Sequence, residues 1–518
     1  MANDLWTRRG VLKAIAAAAG SAAVPTALRP AAAAEPDLEL RLTAAPGEAR
    51  IRDGALTRVL RYTAEVLRGR ADALRASGSY LGPALDLRCG ERVRIVFRNR
   101  TGEQSIVHWH GMLVPEEADG HPRFAVDSGG EYLYEFTVRN PAGTYLYHPH
   151  PHGRTGAQVY SGLAGLLIVR EPDEAKRALP GREHELAIVI QDRRDSGDNR
   201  FAYSWGMMAR MSGVLGDAVL ANGRADAVFR VAPRAWRLRL ANVSNARVYK
   251  LAWSDGRPLR VIGTDGGLLP EKPLERPYLV LAPFERVEIL EDFGTRAPGA
   301  EIALESLEFS SLSMGSMMGN MMGGGGMMGG GGMGGMMGGM GEMMRGMMGP
   351  EQGEPLTVAR FVISRDARVK PGEVVLPAPP PAPEKPAAEL YSRVSFRRMR
   401  GFFNGRDFDM DAVADDERLP LGQPTVWTFA NDGGGMPMPH PIHIHGVRFR
   451  ILERRGDGAP QDLREGLVDA GFKDTFLIFP GERVKVYVVP TEPGMFMYHC
   501  HNLEHEDGGM MRNCLFRA

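Results

Sequence analysis

From Asp37 onward, apolar positions come in short alternating runs rather than at helical spacing. Examples are "RVRIVFRN" (92–99), "YLYEFTV" (132–138), "LAGLLIV" (163–169), "ELAIVI" (185–190) and "AWRLRLANV" (235–243). "ERVEILEDF" (285–293), "TVWTFAN" (425–431), "VRFRILERR" (447–455) and "ERVKVYVV" (482–489) follow the same rule. Runs rich in β-branched and aromatic residues, broken by Gly and Pro, predict strands. At this regular spacing they predict β-sandwiches.

One grammar recurs three times: a run ending in Asn, a turn, then a run led by Gly-Glu-Arg-Val or Phe-Glu-Arg-Val. "GERVRIVFRN" (90–99), "FERVEILEDF" (284–293) and "GERVKVYVV" (481–489) are its clearest instances. The pattern predicts an all-β chain of three related sandwich domains at 37–175, 180–366 and 389–518. The Pro-rich stretch within 367–388 reads as a semi-rigid extended linker.

The segment 314–349, "MGSMMGNMMGGGGMMGGGGMGGMMGGMGEMMRGMMG", breaks the pattern. It is almost wholly Met and Gly, and both flanks (301–310 and 355–364) read as strands. It is therefore expected to be an insertion joining two strands of the second domain, of a length that usually signals function or disorder.

The chain has 518 residues, 43% apolar and 24% charged, as in ordinary globular proteins. Lys+Arg and Asp+Glu are both 63, so net charge points to neither nucleic acid nor membrane. No apolar run is long enough to span a bilayer. The N-terminus carries Thr7-Arg8-Arg9-Gly10, an Ala-rich stretch (14–24) and small residues at 31–34. These parts, in this order, predict a twin-arginine export signal over 1–34 and a periplasmic or otherwise exported protein. Three cysteines, Cys89, Cys500 and Cys514, allow at most one disulfide. A Cys89–Cys514 bridge and two buried free thiols both remain open.

Most of the thirteen histidines fall in four clusters: "HWHG" (108–111), "HPHPHG" (148–153), "HPIHIHG" (440–446) and "HCHNLEHEDGGMM" (499–511). A lone buried histidine is usually a satisfied core residue, but here the spacing argues otherwise. His108/His110, His148/His150, His443/His445 and His499/His501 are His-x-His pairs in strand-like contexts. Residues i and i+2 share a strand face, so each pair presents two imidazoles side by side. Eight imidazoles suit a multinuclear centre of Cu, Zn, Fe or Ni. Cys500 sits between His499 and His501 and faces the other way. With His440, His505 and a methionine such as Met510 or Met511 it forms the His₂Cys-plus-thioether set of a blue-copper site.

In this order and spacing the four clusters resemble the copper-binding motifs of the multicopper oxidase family, over essentially the whole chain after residue 34. The resemblance implies three cupredoxin-like Greek-key β-sandwich or barrel domains and four copper ions. Type 1 copper would take His440, Cys500, His505 and axial Met510. Type 2 would take His108 and His443. The type 3 pair would take His110, His148, His150, His445, His499 and His501. It further implies single-electron oxidation of a reductant coupled to four-electron reduction of O₂ to water, with Asp119 and Glu506 handling protons, in a protein that is commonly a monomer. His152 is expected behind the ligands, and His121 and His184 at ordinary surface or loop positions.

Thioethers are soft ligands suited to Cu(I), and Gly keeps a loop adaptable. The Met/Gly insertion, with Met436 and Met438 before His440, resembles the Met-rich features of bacterial copper-efflux (cuprous) oxidases. Cu(I) is therefore the expected reductant, with Fe(II) not separable from it by sequence. Laccase-type oxidation of phenols or aromatic amines is the alternative, and copper sequestration a weaker one. Two departures stand out. The insertion lies inside the second domain rather than after it, and Met436 occupies a position where those oxidases carry aspartate, with Asp432 and Asp407 nearby.

Overall fold

Every alternating run named above is a strand. A computed structural model describes residues 35–310 and 350–518, apart from Arg398 and Met436. The export signal, the Met/Gly insertion and Met436 therefore lie outside the described residues. Asp37–Ala518 pack as one compact unit.

Three pairs of sheets make up this unit. In the first pair, Thr57–Arg68, Leu38–Ala49, Arg92–Asn99 and Glu131–Thr137 form one sheet. Its partner sheet contains Ala84–Arg88, Gly165–Arg170, Gly143–Pro149 and Val107–His108. Strict alternation sends Val93, Ile95 and Phe97 inward against Trp109, Tyr134 and Leu167, while the intervening residues stay partly exposed. The second and third pairs have their own cores, around Trp253, Leu251 and Phe361 and around Trp427, Phe476 and Tyr498.

Each pair repeats one three-strand unit. Leu38–Ala49, Glu185–Arg193 and Ala388–Arg397 run parallel to Arg92–Asn99, Ala235–Asn242 and Thr425–Gly435. The latter three pair antiparallel with Glu131–Thr137, Arg286–Asp292 and Glu482–Val488. One expectation is corrected by this register. The Gly-Glu-Arg-Val run at 90–99 is not equivalent to those at 284–293 and 481–489; the equivalent run is "GEYLYEFTV" (130–138). The Asn signal does hold, for a physical reason. Asn99, Asn242 and Asn431 donate from their side-chain amides to carbonyls of the loop that follows, at Glu103, Arg247 and Met438, and the first two also reach more distant carbonyls, Val126 and Leu281. The side chain thereby ties the strand end to the loop that leaves it.

The flanks of the Met/Gly insertion, Glu301–Ser306 and Leu356–Ile363, are antiparallel neighbours in one sheet. The Pro-rich stretch carries no strand between Ile363 and Ala388 and lies against the third pair of sheets, where Arg450 donates to the Pro381 carbonyl (2.8 Å). No helix among the described residues is long and apolar enough to cross a membrane.

Candidate metal centre

The four His-x-His pairs do not lie wholly on strands as expected. Each straddles a strand end. His108, His148, His443 and His499 belong to Val107–His108, Gly143–Pro149, His440–Ile444 and Gly494–Cys500. His110, His150, His445 and His501 lie one or two residues beyond those strands. Register then brings the pairs together: His108 faces His148, and His443 faces His499. The first and third pairs of sheets meet here, so all eight imidazoles converge in one place, each at most 1% exposed.

Their ring nitrogens divide into held and free sets. His108 Nδ1 lies 2.6 Å from the Asp119 carbonyl and His443 Nδ1 2.8 Å from the Asp474 carbonyl. His445 Nδ1 lies 2.8 Å from Asp119 Oδ2, and His148 Nδ1 2.9 Å from the Pro149 carbonyl. An acceptor on Nδ1 fixes the tautomer and leaves the Nε2 lone pair for a metal. The freed nitrogens face one another. His108 and His443 Nε2 are 3.4 Å apart, His445 and His499 Nε2 2.9 Å, His150 and His499 Nε2 3.5 Å. His110 is turned over: its Nε2 faces Asp474 (3.1 Å) and its Nδ1 faces His501 Nε2 (3.2 Å). His148 Nε2 has no hydrogen-bond partner.

Burial holds these rings neutral, the form that binds metal. His108, His110, His443, His445 and His501 lie well below the ordinary imidazole value, His148 at about 3 and His150 at about 4, with desolvation the leading cause in each. Lone pairs aimed at lone pairs at hydrogen-bond distance, in a dry pocket, would repel without a cation between them. The donor set thus fits copper ions, and groups such as His150/His445/His499 offer three nitrogens within 4.8 Å of one another.

A second buried group lies on the other face of the same strand end. Cys500 Sγ is 3.4 Å from His440 Nδ1 and 3.5 Å from His505 Nδ1. His505 sits on the short helix Leu503–Asp507, and its Nε2 faces the Met211 carbonyl at 3.1 Å. Met510 is buried in the same core, its backbone N–H bonded to the His505 carbonyl and its carbonyl to the Cys500 N–H (2.9 and 3.1 Å). Cys500 is covalently continuous with His499 and His501, so only a few bonds separate the two groups. Burial pushes the Cys500 thiol up, so a cation must displace its proton.

Both predicted carboxylates are here. Asp119 is fully buried and pushed well above the usual carboxylate range by desolvation, with Oδ1 unpartnered. Glu506 reaches His499 Nδ1 (3.2 Å) and His150 Nε2 (3.5 Å). Met438 is nearly buried, its carbonyl accepting from Asn431. Asp432 and Asp407 are paired with Arg393 and Arg400.

Three minor expectations are corrected. His121 is not a surface residue: it is fully buried, bonded to Asn513 (3.0 Å), and caps the turn Pro122–Phe124. His152 is not behind the ligands but lies exposed against Phe408. Cys89 and Cys514 are both free, and only Cys514 is buried, because Cys89 falls in an exposed turn.

Sequence reasoning missed Asp474, Thr475 and Phe284, which touch the histidines, and Arg286, which holds Asp474; none of them lies in a metal-like motif. It also missed a cleft of about 350 Å³ beside His505, lined by Trp205, Arg210, Phe396, Met399, Arg400 and Glu504 among others.

Two segments, 59–174 and 380–517, match the multicopper oxidase family. The chain belongs to the multicopper oxidase family, whose members are copper-dependent oxidoreductases that use O₂ and a reductant. It is 30% identical over 447 residues to a multicopper oxidase of Staphylococcus epidermidis, covering 85% of this chain and 83% of that one. The laccase of Bacillus subtilis is 27% identical over 460 residues, 79% of each chain. Among solved structures, the McoA multicopper oxidase of the hyperthermophile Aquifex aeolicus aligns with a TM-score of 0.75 at 29% identity, covering 93% of this chain and 97% of that one.

Proposed function

We propose that this chain is an exported cuprous oxidase holding four coppers, which couples oxidation of Cu(I) to reduction of O₂ to water. Bound in these sites, copper supplies the one-electron redox chemistry and the O₂ reduction. His440, Cys500, His505 and Met510 would hold the type 1 ion, and His108 and His443 the type 2 ion. His110, His148 and His501 would hold one type 3 ion, and His150, His445 and His499 the other. Asp119, kept protonated by burial, can deliver a proton from Oδ1, and Glu506, which burial would raise but His499 and His150 hold down at about 2, stays an anion that can orient those two rings and receive a passing proton. The twin-arginine pattern at 1–34 supports export to the periplasm or beyond, and the family resemblance favours a monomer.

The observation that carries the Cu(I) reading is where the Met/Gly insertion is rooted. Arg247 donates to the carbonyls of Pro350 (2.9 Å) and Glu351 (3.1 Å), the first described residues after it. The same guanidinium donates to the Gly216 carbonyl (2.9 Å). Two residues earlier, Val214 N–H donates to Glu504, next to His505 (2.9 Å). The described chain therefore resumes after the soft-ligand segment beside the segment that covers His505. Met207 and Met399, among the few exposed large apolar side chains, belong to the same region: Met399 lines the cleft, and Met207 opens the helix whose Met211 carbonyl holds His505. Deleting 314–349 should lower kcat/KM for Cu(I) and leave oxidation of a phenol unchanged. An unchanged Cu(I) efficiency would sink the reading.

One observation favours a laccase-type second reading. Trp205 and Phe396 line the cleft with Arg210 and Arg400, which suits an aromatic reductant better than a bare cation. Phenol oxidation by the intact enzyme that needs no added copper would support it.

The Met510 assignment has its own test. A Cβ on Gly401 would fall 2.2 Å from Met510 Sδ. Gly401→Ala should displace the thioether, shift the blue absorption, and cost about 1–3 kcal/mol of stability through overpacking. An unmoved absorption band would exclude Met510 as an axial neighbour.

A further inference from the structure

The middle pair of sheets supplies none of the ligands, yet one of its turns enters the centre. Arg286 opens the Arg286–Asp292 strand and is fully buried. Its Nη1 and Nη2 donate to the two Asp474 carboxylate oxygens at 2.7 and 2.6 Å, a bidentate fork. The remaining donors are also used: Nε to the Thr144 carbonyl (3.1 Å), Nη1 to the Phe284 carbonyl (3.0 Å) and Nη2 to the Asp265 carbonyl (3.1 Å). Every N–H of the guanidinium is thereby satisfied. One side chain joins the first pair of sheets at Thr144, the second at Asp265 and Phe284, and the third at Asp474.

Asp474 passes this constraint to the histidines. Its carbonyl holds His443 Nδ1 (2.8 Å), and its Oδ1 faces His110 Nε2 (3.1 Å). Thr475 Oγ1 sits between the same two rings, 3.2 Å from His110 and 3.1 Å from His443. Two residues before Arg286, Phe284 stacks on His501 with ring centroids 3.8 Å apart and meets His148 at 4.7 Å. Phe284 has φ +62, a conformation costly for a bulky residue and held only by its surroundings. The approach is close enough to dictate Gly111, where a Cβ would fall 2.4 Å from Asp474 Oδ2.

We propose that Arg286 is a positioning residue for the trinuclear site: through Asp474 it fixes the orientation of His443 and His110. The Phe284 ring does the same for His501 and His148. Because His443 and His110 belong to different candidate ions, the turn at 284–286 sets the spacing between the type 2 and type 3 positions. The proposal rests on the copper assignment above. Lysine keeps the charge of Arg286 but cannot reproduce the planar fork, so Arg286→Lys separates geometry from charge.

The experiment compares copper-loaded wild type, Arg286→Lys and Asp474→Asn by blue absorption, by the type 2 EPR signal, and by copper released to a chelator. Both variants should keep the blue absorption. Both should lose the type 2 signal and release that copper on the order of 10–100-fold more readily, as outer partners of metal ligands do. A wild-type-like type 2 signal and release rate in both variants overturns the proposal. So does loss of all coppers in proportion, or failure of both variants to fold, since either assigns the ion pair to packing alone. Absence of blue and type 2 signals from loaded wild type would defeat the copper assignment instead.

Discussion

Cys500→Ser should abolish the blue absorption completely and reduce oxidation of any reductant to background, while the eight-histidine centre keeps its copper. Thiolate is the ligand that defines such a site, and Cys500 is the only sulfur within reach of both His440 and His505 that can become anionic. Serine oxygen is hard, shorter and far less acidic, so it neither replaces the sulfur charge nor its covalent overlap. The fold should survive, because Cys500 is small and its backbone ladder to Ile442 is untouched. The check is an absorption spectrum paired with copper counting. Retained colour would mean that the blue site had been assigned to the wrong residues.

Copper-free protein should lose stability steeply as pH falls below about 6.5, and copper should remove that loss. In the unfolded chain these imidazoles take up protons near 6.5. In the fold burial keeps them neutral, His150 and His505 down to about 4 and His148 to about 3. His108, His110, His440, His443, His445 and His501 are shifted the same way. Between these limits the unfolded state binds more protons. The stabilisation is therefore complete above about pH 6.5 and is lost as the pH falls, by up to about 1.4 kcal/mol per pH unit for each ring. Asp119, Asp507, Glu504, Glu285, Glu291 and Glu482, pushed up by burial, oppose this over part of the same window. Nine rings outnumber six carboxyls, so the net slope keeps the sign of the rings. Against a total stability of about 5–15 kcal/mol, a few such rings decide folding. Urea unfolding of apo- and copper-loaded protein from neutral to mildly acid pH tests this; a flat apo profile would refute it.

The sequence was informative where chemistry is local. Alternation marked the strands because one face of each is dry. The His-x-His spacing marked the imidazoles that converge, because each pair sits at a strand end with its rings side by side. It failed where partners come from afar. Nothing in "FKDTFLIFP" says that Asp474 lies against His110, which precedes it by 364 residues. Nothing in "LAPFERV" says that Phe284 lies on His501. The Gly-Glu-Arg-Val repeat misled for a related reason: three short residue matches outweighed the register, which depends on which strand lies alongside. His121 is a loop residue but a buried one, which the sequence did not show because its partner, Asn513, is 392 residues away.

His108 and His443 face each other across 335 residues of chain. No partial product of synthesis can hold an ion between them, and closing so long a loop comes late in folding. Metal at that position therefore cannot nucleate the fold. An ion can be held there only once the first and third pairs of sheets have met, and so a shortage of copper should accumulate folded, colourless protein rather than misfolded chains.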